Sequence, residues 1–226
     1  MKEEKRILII EDDQEISRLL NVILIKMGMT PVAAYSGTEG LLQLKSNTFD
    51  LILLDLMLPG ISGEEFIAQV REESAIPIIV ISAKVGIDDK VQVLKMGADD
   101  YITKPFHQKE VEARVEVQLR KSKVQPTQIE EKVWRGLAIF PEKFSVTLNH
   151  KALQLTNAEF DILTLLINHP EHAFSKREIY EKIWKGTYVG DDNTISVHIS
   201  NLRRKIAEIT SDEYIRTIWG VGFMLV

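Results

Sequence analysis

Four short apolar runs, each stopping abruptly at a residue able to handle a phosphoryl group, limit what this chain can fold into. Ile7-Leu8-Ile9-Ile10 runs into Glu11-Asp12-Asp13, and Leu51-Ile52-Leu53-Leu54 runs into Asp55. Ile78-Ile79-Val80-Ile81 stops at Ser82, and Tyr101-Ile102-Thr103 stops at Lys104-Pro105. Unbroken aliphatic runs of this length are strands buried on both faces, the habit of parallel sheets enclosed between helix layers. Ligands of open parallel sheets bind beyond the carboxyl ends of the strands. The acids, the hydroxyl and the ammonium are therefore expected along one edge, as a phosphoryl site.

Between the runs lie segments of helical period. Ile16, Leu19, Leu20, Ile23 and Leu24 follow the spacing of a core-facing helix. Leu41, Leu42 and Leu44 mark a second helix, Phe66, Ile67 and Val70 a third, Val91 and Leu94 a fourth, and Val111, Val115 and Leu119 a fifth. With a second strand near Val32–Tyr35, strand and helix alternate five times, the pattern of an α/β domain with helices on both faces of the sheet.

The texture changes after residue 121. Lys121 to Gln128 has no hydrophobic period and contains Pro126, so residues 122–132 are expected to be a linker between a first domain at 1–121 and a second at 133–226. In the second domain, short strands (Leu137–Ile139, Ser145–Leu148, Ala152–Leu155) give way to helices. Two of these open with capping boxes, Thr156-Asn157-Ala158-Glu159 and Ser175-Lys176-Arg177-Glu178. A longer helix is expected from about Asn193 to Glu208, and Tyr214–Phe223 alternates around two glycines as a hairpin would.

Charge and composition bound the function classes. Residues 1–122 hold 15 Lys+Arg against 20 Asp+Glu, for −5; residues 123–226 hold 13 against 13, for zero. An acidic first half argues against coating nucleic acid there, and any DNA binding by the second half must come from local clustering. With no cysteine, disulfides and thiolate metal sites are excluded. That composition, with no apolar stretch long enough to span a bilayer, leads to the expectation of a cytoplasmic protein without membrane attachment.

An Asp pair after a strand has a simple reading, the N-cap of the helix carrying Ile16. Carboxylates from two neighbouring strand ends, however, make a small oxygen-only site suited to Mg²⁺, which keeps waters and a phosphate among its ligands. One carboxylate can then act as nucleophile toward phosphorus, with Ser82 and Lys104 binding phosphoryl oxygens. Pro59-Gly60 and Gly63 supply a turn after Asp55 that leaves the edge open.

Three stretches resemble the receiver domain of bacterial two-component response regulators: Ile9-Ile10-Glu11-Asp12-Asp13, Leu54-Asp55-Leu56-Met57-Leu58-Pro59-Gly60, and Gly97-Ala98-Asp99-Asp100-Tyr101-Ile102-Thr103-Lys104-Pro105-Phe106. The resemblance implies a flavodoxin-like, five-stranded parallel sheet in the order 2-1-3-4-5, with Asp55 as phospho-acceptor. It further implies Mg²⁺ held by Asp12, Asp13, Asp55 and the backbone carbonyl of Met57, phosphoryl contacts from Ser82 and Lys104, and Tyr101 as an aromatic switch working with Ser82. The Lys104–Pro105 peptide is expected to be cis. Ser82 replaces the threonine common at that position and keeps its hydroxyl; Met57 and Lys84 occupy positions at which relatives tune phosphoryl lifetime.

The second domain resembles the winged helix-turn-helix output domain of the OmpR/PhoB subfamily over about Val133–Val226, an α+β fold. The residues that carry this are Leu155-Thr156-Asn157-Ala158-Glu159-Phe160 and Gly220-Val221-Gly222-Phe223. At 100° steps, Ile195, Ile199, Leu202 and Ile206 fall on one face of the long helix and Val197, Ser200, Asn201 and Arg204 on the other, flanked by Ser196, His198, Arg203 and Lys205. These eight are the expected DNA contacts, with polar groups toward base edges and cations toward phosphates. His198 is expected at a phosphate or in a structural contact rather than on a metal. By the same resemblance, Trp184–Asp191 would be the segment that can face RNA polymerase in the family. Where relatives often carry a basic residue in the wing, this chain has Met224.

By the same similarity, Lys90–Glu110 and Asp100–Arg114 would pair across a homodimer of the fourth helix, fifth strand and fifth helix, with Asp99 and Asp100 both facing Arg114. Together these implications describe a transcriptional regulator activated by a sensor histidine kinase and bound to promoter DNA, rather than an enzyme with its own substrate. Two alternatives remain open at the level of sequence. One is a Mg²⁺-dependent phosphohydrolase with Asp55 as nucleophile, although Met57 stands where such enzymes place a second acid. The other is a receiver with a protein-binding output domain.

Overall fold

The computed structural model describes residues 4–84, 86–120, 131–184 and 192–226. The chain divides into two compact units, Met1–Leu119 and Arg120–Val226. In the first, strands β1 (Arg6–Ile10), β2 (Thr30–Ala34), β3 (Leu51–Leu54), β4 (Ile78–Ser82) and β5 (Asp100–Thr103) alternate with helices α1 (Gln14–Lys26), α2 (Gly37–Ser46), α3 (Gly63–Glu73), α4 (Ile87–Met96) and α5 (Gln108–Arg120). All pairings in this sheet are parallel and the strand order is 2-1-3-4-5, as the resemblance implied. The apolar runs of β1, β3 and β4 are almost wholly excluded from solvent, which explains why they show no alternation.

Helical faces follow their period less closely. In α1, Leu20, Ile23 and Leu24 reach the core, but Leu19 is exposed. Helix α2 turns Gly37 and Gly40 inward and leaves Leu42 in solvent. The second strand begins two residues before the expected Val32, at Thr30. Asp99 also departs from expectation. Rather than facing Arg114, it accepts from the backbone N–H of Ile78 and from Arg71 at 3.0 Å, while Arg71 also donates to the carbonyls of Gly97 and Ile76. This buried pair fastens α3 to the start of β4 and β5.

In the second unit, β6 (Lys132–Trp134), β7 (Leu137–Phe140), β8 (Ser145–Leu148) and β9 (Lys151–Ala152) form an antiparallel sheet. Strand β6 begins inside the expected linker, whose residues 122–130 lie outside the described ones. Strand β9 ends at Ala152 rather than running to Leu155. Helices α6 (Asn157–Ile167), α7 (Lys176–Trp184) and α8 (Asp192–Ala207) follow, then a hairpin of β10 (Ile215–Ile218) and β11 (Gly222–Leu225). Both capping boxes form: Thr156 and Glu159 bond each other's backbone N–H, as do Ser175 and Glu178.

Candidate functional site

The carboxyl ends of β1, β3, β4 and β5 bring Glu11, Asp12, Asp55, Ser82 and Lys104 to one edge of the first unit's sheet. Lys104 is the centre of the arrangement. Its Nζ lies 2.6 Å from Asp55 Oδ2 and 2.7 Å from Glu11 Oε2. Asp55 Oδ1 accepts from the Met57 backbone N–H at 3.1 Å, so both carboxylate oxygens of Asp55 are engaged. The peptide before Pro105 is cis. Gly63 keeps the edge compact: a Cβ there would stand 2.6 Å from the Asp55 carbonyl oxygen, so only glycine lets α3 begin so close to the acceptor strand.

The acids divide differently from the expectation. Glu11, Asp12 and Asp55 each offer a carboxylate oxygen within 4.8 Å of the others, a grouping that could hold a metal ion. Asp13 is not among them. Its Oδ1 accepts from the N–H groups of Glu15 and Ile16, making it the N-cap of α1. Glu11, which the expected ligand set omitted, stands in that grouping because it directly ends the buried strand, whereas Asp13 belongs to the helix entrance. Burial pushes the Glu11 carboxyl up to about 7, with Lys104 opposing the shift and Asp55 adding to it. Burial also disfavours the Lys104 ammonium, but hydrogen bonds to Asp55 and Glu11 outweigh it and raise the lysine above its ordinary value. Such a cluster of acids around one ammonium is an electrostatically demanding arrangement that a divalent cation would relieve.

Ser82 is fully buried, with its Oγ 3.4 Å from the Lys84 backbone nitrogen, which donates to it. Tyr101 is also buried, and its hydroxyl donates to the Lys84 carbonyl at 2.6 Å. One residue, Lys84, thereby meets both expected switch positions through its backbone, while its side chain pairs with Glu64 at 2.7 Å on α3. Burial raises the Tyr101 phenol above its ordinary value. The charges assigned to an intersubunit face meet within the chain: Arg114 bonds Asp100 at 2.6 Å and Glu110 at 3.1 Å, and Lys90 lies over the Tyr101 ring at 5.5 Å from its centre.

In the second unit, α8 presents a narrower outer face than expected. Ile195, Ile199, Leu202 and Ile206 are buried as read from the sequence, but so are Val197, His198 and Asn201. These three leave little surface on the outer face of the helix, and for His198 the burial fits the expected structural contact. The helix packs against both α6 and α7, so its buried arc is widened toward one side, and the His198 ring stacks on Trp184 at 6.1 Å. Ser200 and Arg204 remain exposed and Ser196 is half-buried. The two flanking cations have internal partners. Arg203 donates to the Ile215 carbonyl at 3.0 Å and to Thr217 Oγ1 at 2.8 Å, and Lys205 meets the buried Glu159 at 2.6 Å. Within the expected polymerase-facing segment, residues 185–191 lie outside the described ones.

Comparison with known proteins accounts for both units. Residues 7–116 match the response regulator receiver domain, and residues 150–225 match the family described as transcriptional regulatory protein, C terminal. The chain is 40% identical over 223 residues to the uncharacterized transcriptional regulatory protein YcbL of Bacillus subtilis, covering 96% of this chain and 99% of that one. It is 39% identical to the response regulator ArlR of Staphylococcus saprophyticus, covering 97% and 98%. Among solved structures, DrrB, a Thermotoga maritima OmpR/PhoB homolog, aligns with a TM-score of 0.54 at 26% identity, over 99% of this chain and 100% of that one. With an acidic strand-end cluster in one unit and a helix-and-hairpin domain in the other, this chain belongs to the OmpR/PhoB family of two-component response regulators, transcriptional regulators that carry a DNA-binding output domain.

Proposed function

We propose that Asp55 is the phospho-acceptor, receiving its phosphoryl group from a phosphohistidine of a sensor histidine kinase. The observation that carries this is the placement of Asp55 between the Lys104 ammonium and the carboxylates of Glu11 and Asp12. An Asp55 carboxylate oxygen forms the new bond to phosphorus as the phosphorus–nitrogen bond breaks, and that electron pair stays on the kinase imidazole. Lys104, already within hydrogen-bond reach of Asp55, stabilises charge on the transferring oxygens, and the Ser82 hydroxyl donates a hydrogen bond to one of them. Glu11, Asp12, Asp55 and the Met57 carbonyl suit Mg²⁺, which when bound neutralises the acids and the incoming phosphoryl oxygens.

Phosphorylation then shifts the receiver toward a homodimer through α4, β5 and α5, with Lys90, Asp100, Glu110 and Arg114 exchanging partners across the two-fold axis. Two output domains bind adjacent promoter half-sites, with Ser196, Ser200 and Arg204 toward the major groove, and recruit RNA polymerase in the cytoplasm. Among the described residues, no helix is long and apolar enough to cross a membrane.

Incubation with a small phosphoramidate donor and Mg²⁺ should add one acid-labile phosphoryl group to the chain. Asp55→Asn should abolish it. Incorporation that survives this substitution, or that proceeds unchanged in excess EDTA, would overturn the assignment. Sedimentation with beryllofluoride tests the dimer, which requires a mass increase absent from Asp55→Asn.

A further inference from the structure

We propose that Glu64, in the first turn of α3, is a positioning residue for the phosphoryl site: by holding Lys84 it fixes the places of Ser82 and Tyr101 together. The inference rests on the reading of Asp55 as phospho-acceptor and deepens it by naming a residue away from the strand ends that governs the site. The Glu64 carboxylate meets the Lys84 ammonium at 2.7 Å, joining α3 to the loop that follows β4.

Lys84 reaches both expected switch groups through its backbone alone. Its N–H donates to Ser82 Oγ at 3.4 Å, and its carbonyl accepts from the Tyr101 hydroxyl at 2.6 Å. The N–H occupies a lone pair of the Ser82 oxygen and leaves the hydroxyl hydrogen to donate to a phosphoryl oxygen. Both contacts flank one Cα, so a displacement of Lys84 moves the partners of Ser82 and Tyr101 at once. The side chain of that same residue is what Glu64 holds.

Glu64 stands on a firm base. Ser62 and Glu65 close a capping box around the first turn of α3, and Gly63 lies against the Asp55 carbonyl with no room for a Cβ. At the far end of the helix, Arg71 bonds Gly97, Ile76 and Asp99, tying α3 to where β4 and β5 begin. Glu64 makes the second tie, at the end where these strands deliver Ser82 and Lys104. A simpler reading of Glu64 is an acid favoured by the helix dipole. That accounts for the acid but not for its partner: the Lys84 ammonium is raised above its ordinary value, chiefly by the hydrogen bond to Glu64. With Lys84 37% and Glu64 23% exposed, the pair adds little to global stability. A restraint of that size still shifts a local equilibrium by up to about fivefold.

The test uses the full chain with fluorotyrosine in place of tyrosine, the Tyr101 fluorine resonance being the one lost in Tyr101→Phe. Glu64→Gln and Lys84→Met should each shift or broaden that resonance, and the double variant should add nothing further, because Glu64 acts only through Lys84. Lys84→Arg, which keeps the pair, should restore the wild-type line. Phosphoryl incorporation from a small phosphoramidate donor at saturating Mg²⁺ should slow by roughly two- to fivefold in Glu64→Gln, with the urea midpoint near wild type. An unmoved Tyr101 resonance in Glu64→Gln, or additive effects in the double variant, overturns the proposal. Faster incorporation in Glu64→Gln also overturns it, since the freed Lys84 ammonium would then be acting on the phosphoryl oxygens directly. The resonance needs no phosphoryl transfer, so it judges Glu64 even where incorporation survives Asp55→Asn and the reading of the acceptor fails.

Discussion

Glu11, Asp12 and Asp13 are adjacent carboxylates with three separate situations. Glu11 is buried at the strand end against Lys104, Asp12 is exposed toward Asp55, and Asp13 caps α1. Sequence alone could show that acids gather here but not how they divide, because a one-residue change in where the strand stops exchanges ligand for cap. The division has a direct consequence. Asp13→Ala should cost about 1 kcal/mol of stability, as loss of a cap does, and leave Mg²⁺ affinity near wild type. Asp12→Asn should reduce Mg²⁺ affinity by roughly tenfold or more with little loss of stability, since its carboxylate caps nothing and is exposed. Urea denaturation and calorimetric Mg²⁺ titration separate the two; equal loss of metal affinity in both variants would restore Asp13 to the ligand set. By contrast, Asp55, Ser82 and Lys104 were legible from sequence as members of the site, because each ends a buried strand of the same parallel sheet and so has no freedom to point elsewhere.

At the scale of the element, α8 shows why helical period alone drew the exposed face of a helix too wide. Period assigns one buried stripe, but a helix wedged between α6 and α7 buries a wider arc, and Val197, His198 and Asn201 fall within it. Two cations that looked free to meet phosphates are fasteners. Removing Lys205 as Lys205→Met would leave Glu159, 1% exposed, as an uncompensated charge; Lys205 itself is 24% exposed, which moderates the effect. The expected destabilisation is about 3 kcal/mol, toward the low end for breaking a buried pair. Adding Glu159→Gln should restore much of it by removing the stranded charge while keeping an acceptor for the Thr156 N–H. Urea melts of the single and double variants give the coupling directly, and additive effects would mean the pair is not a unit. For Arg203→Ala, the prediction is faster amide exchange in β10 and β11 while α6 keeps its protection. Unchanged exchange there would show that the hairpin is held without the arginine.

For the whole molecule, the two-domain order and the parallel sheet were readable from long-range patterns, alternation and a shift of texture near residue 121, whereas the output class came from the resemblance carried by Leu155–Phe160 and Gly220–Phe223. What the pattern could not supply was how much of the output domain's charge is available to DNA. Residues 123–226 are already neutral by count, and Arg203 and Lys205 are drawn into internal bonds, while Arg204 stands exposed on the outer face of α8. The outer face of α8 therefore offers few cations with which to displace counterions. The slope of log affinity against log salt should be shallow for one half-site, roughly −1 to −3, and should about double when two chains occupy adjacent half-sites. Binding at physiological salt would then depend on pairing two domains, which is what the proposed phosphorylation-dependent dimer would supply. Anisotropy titrations on duplexes with one and two half-sites check this across salt. A slope steeper than roughly −5 on a single half-site would show phosphate contacts from cations outside α8. In that event phosphorylation would have to act on something other than avidity.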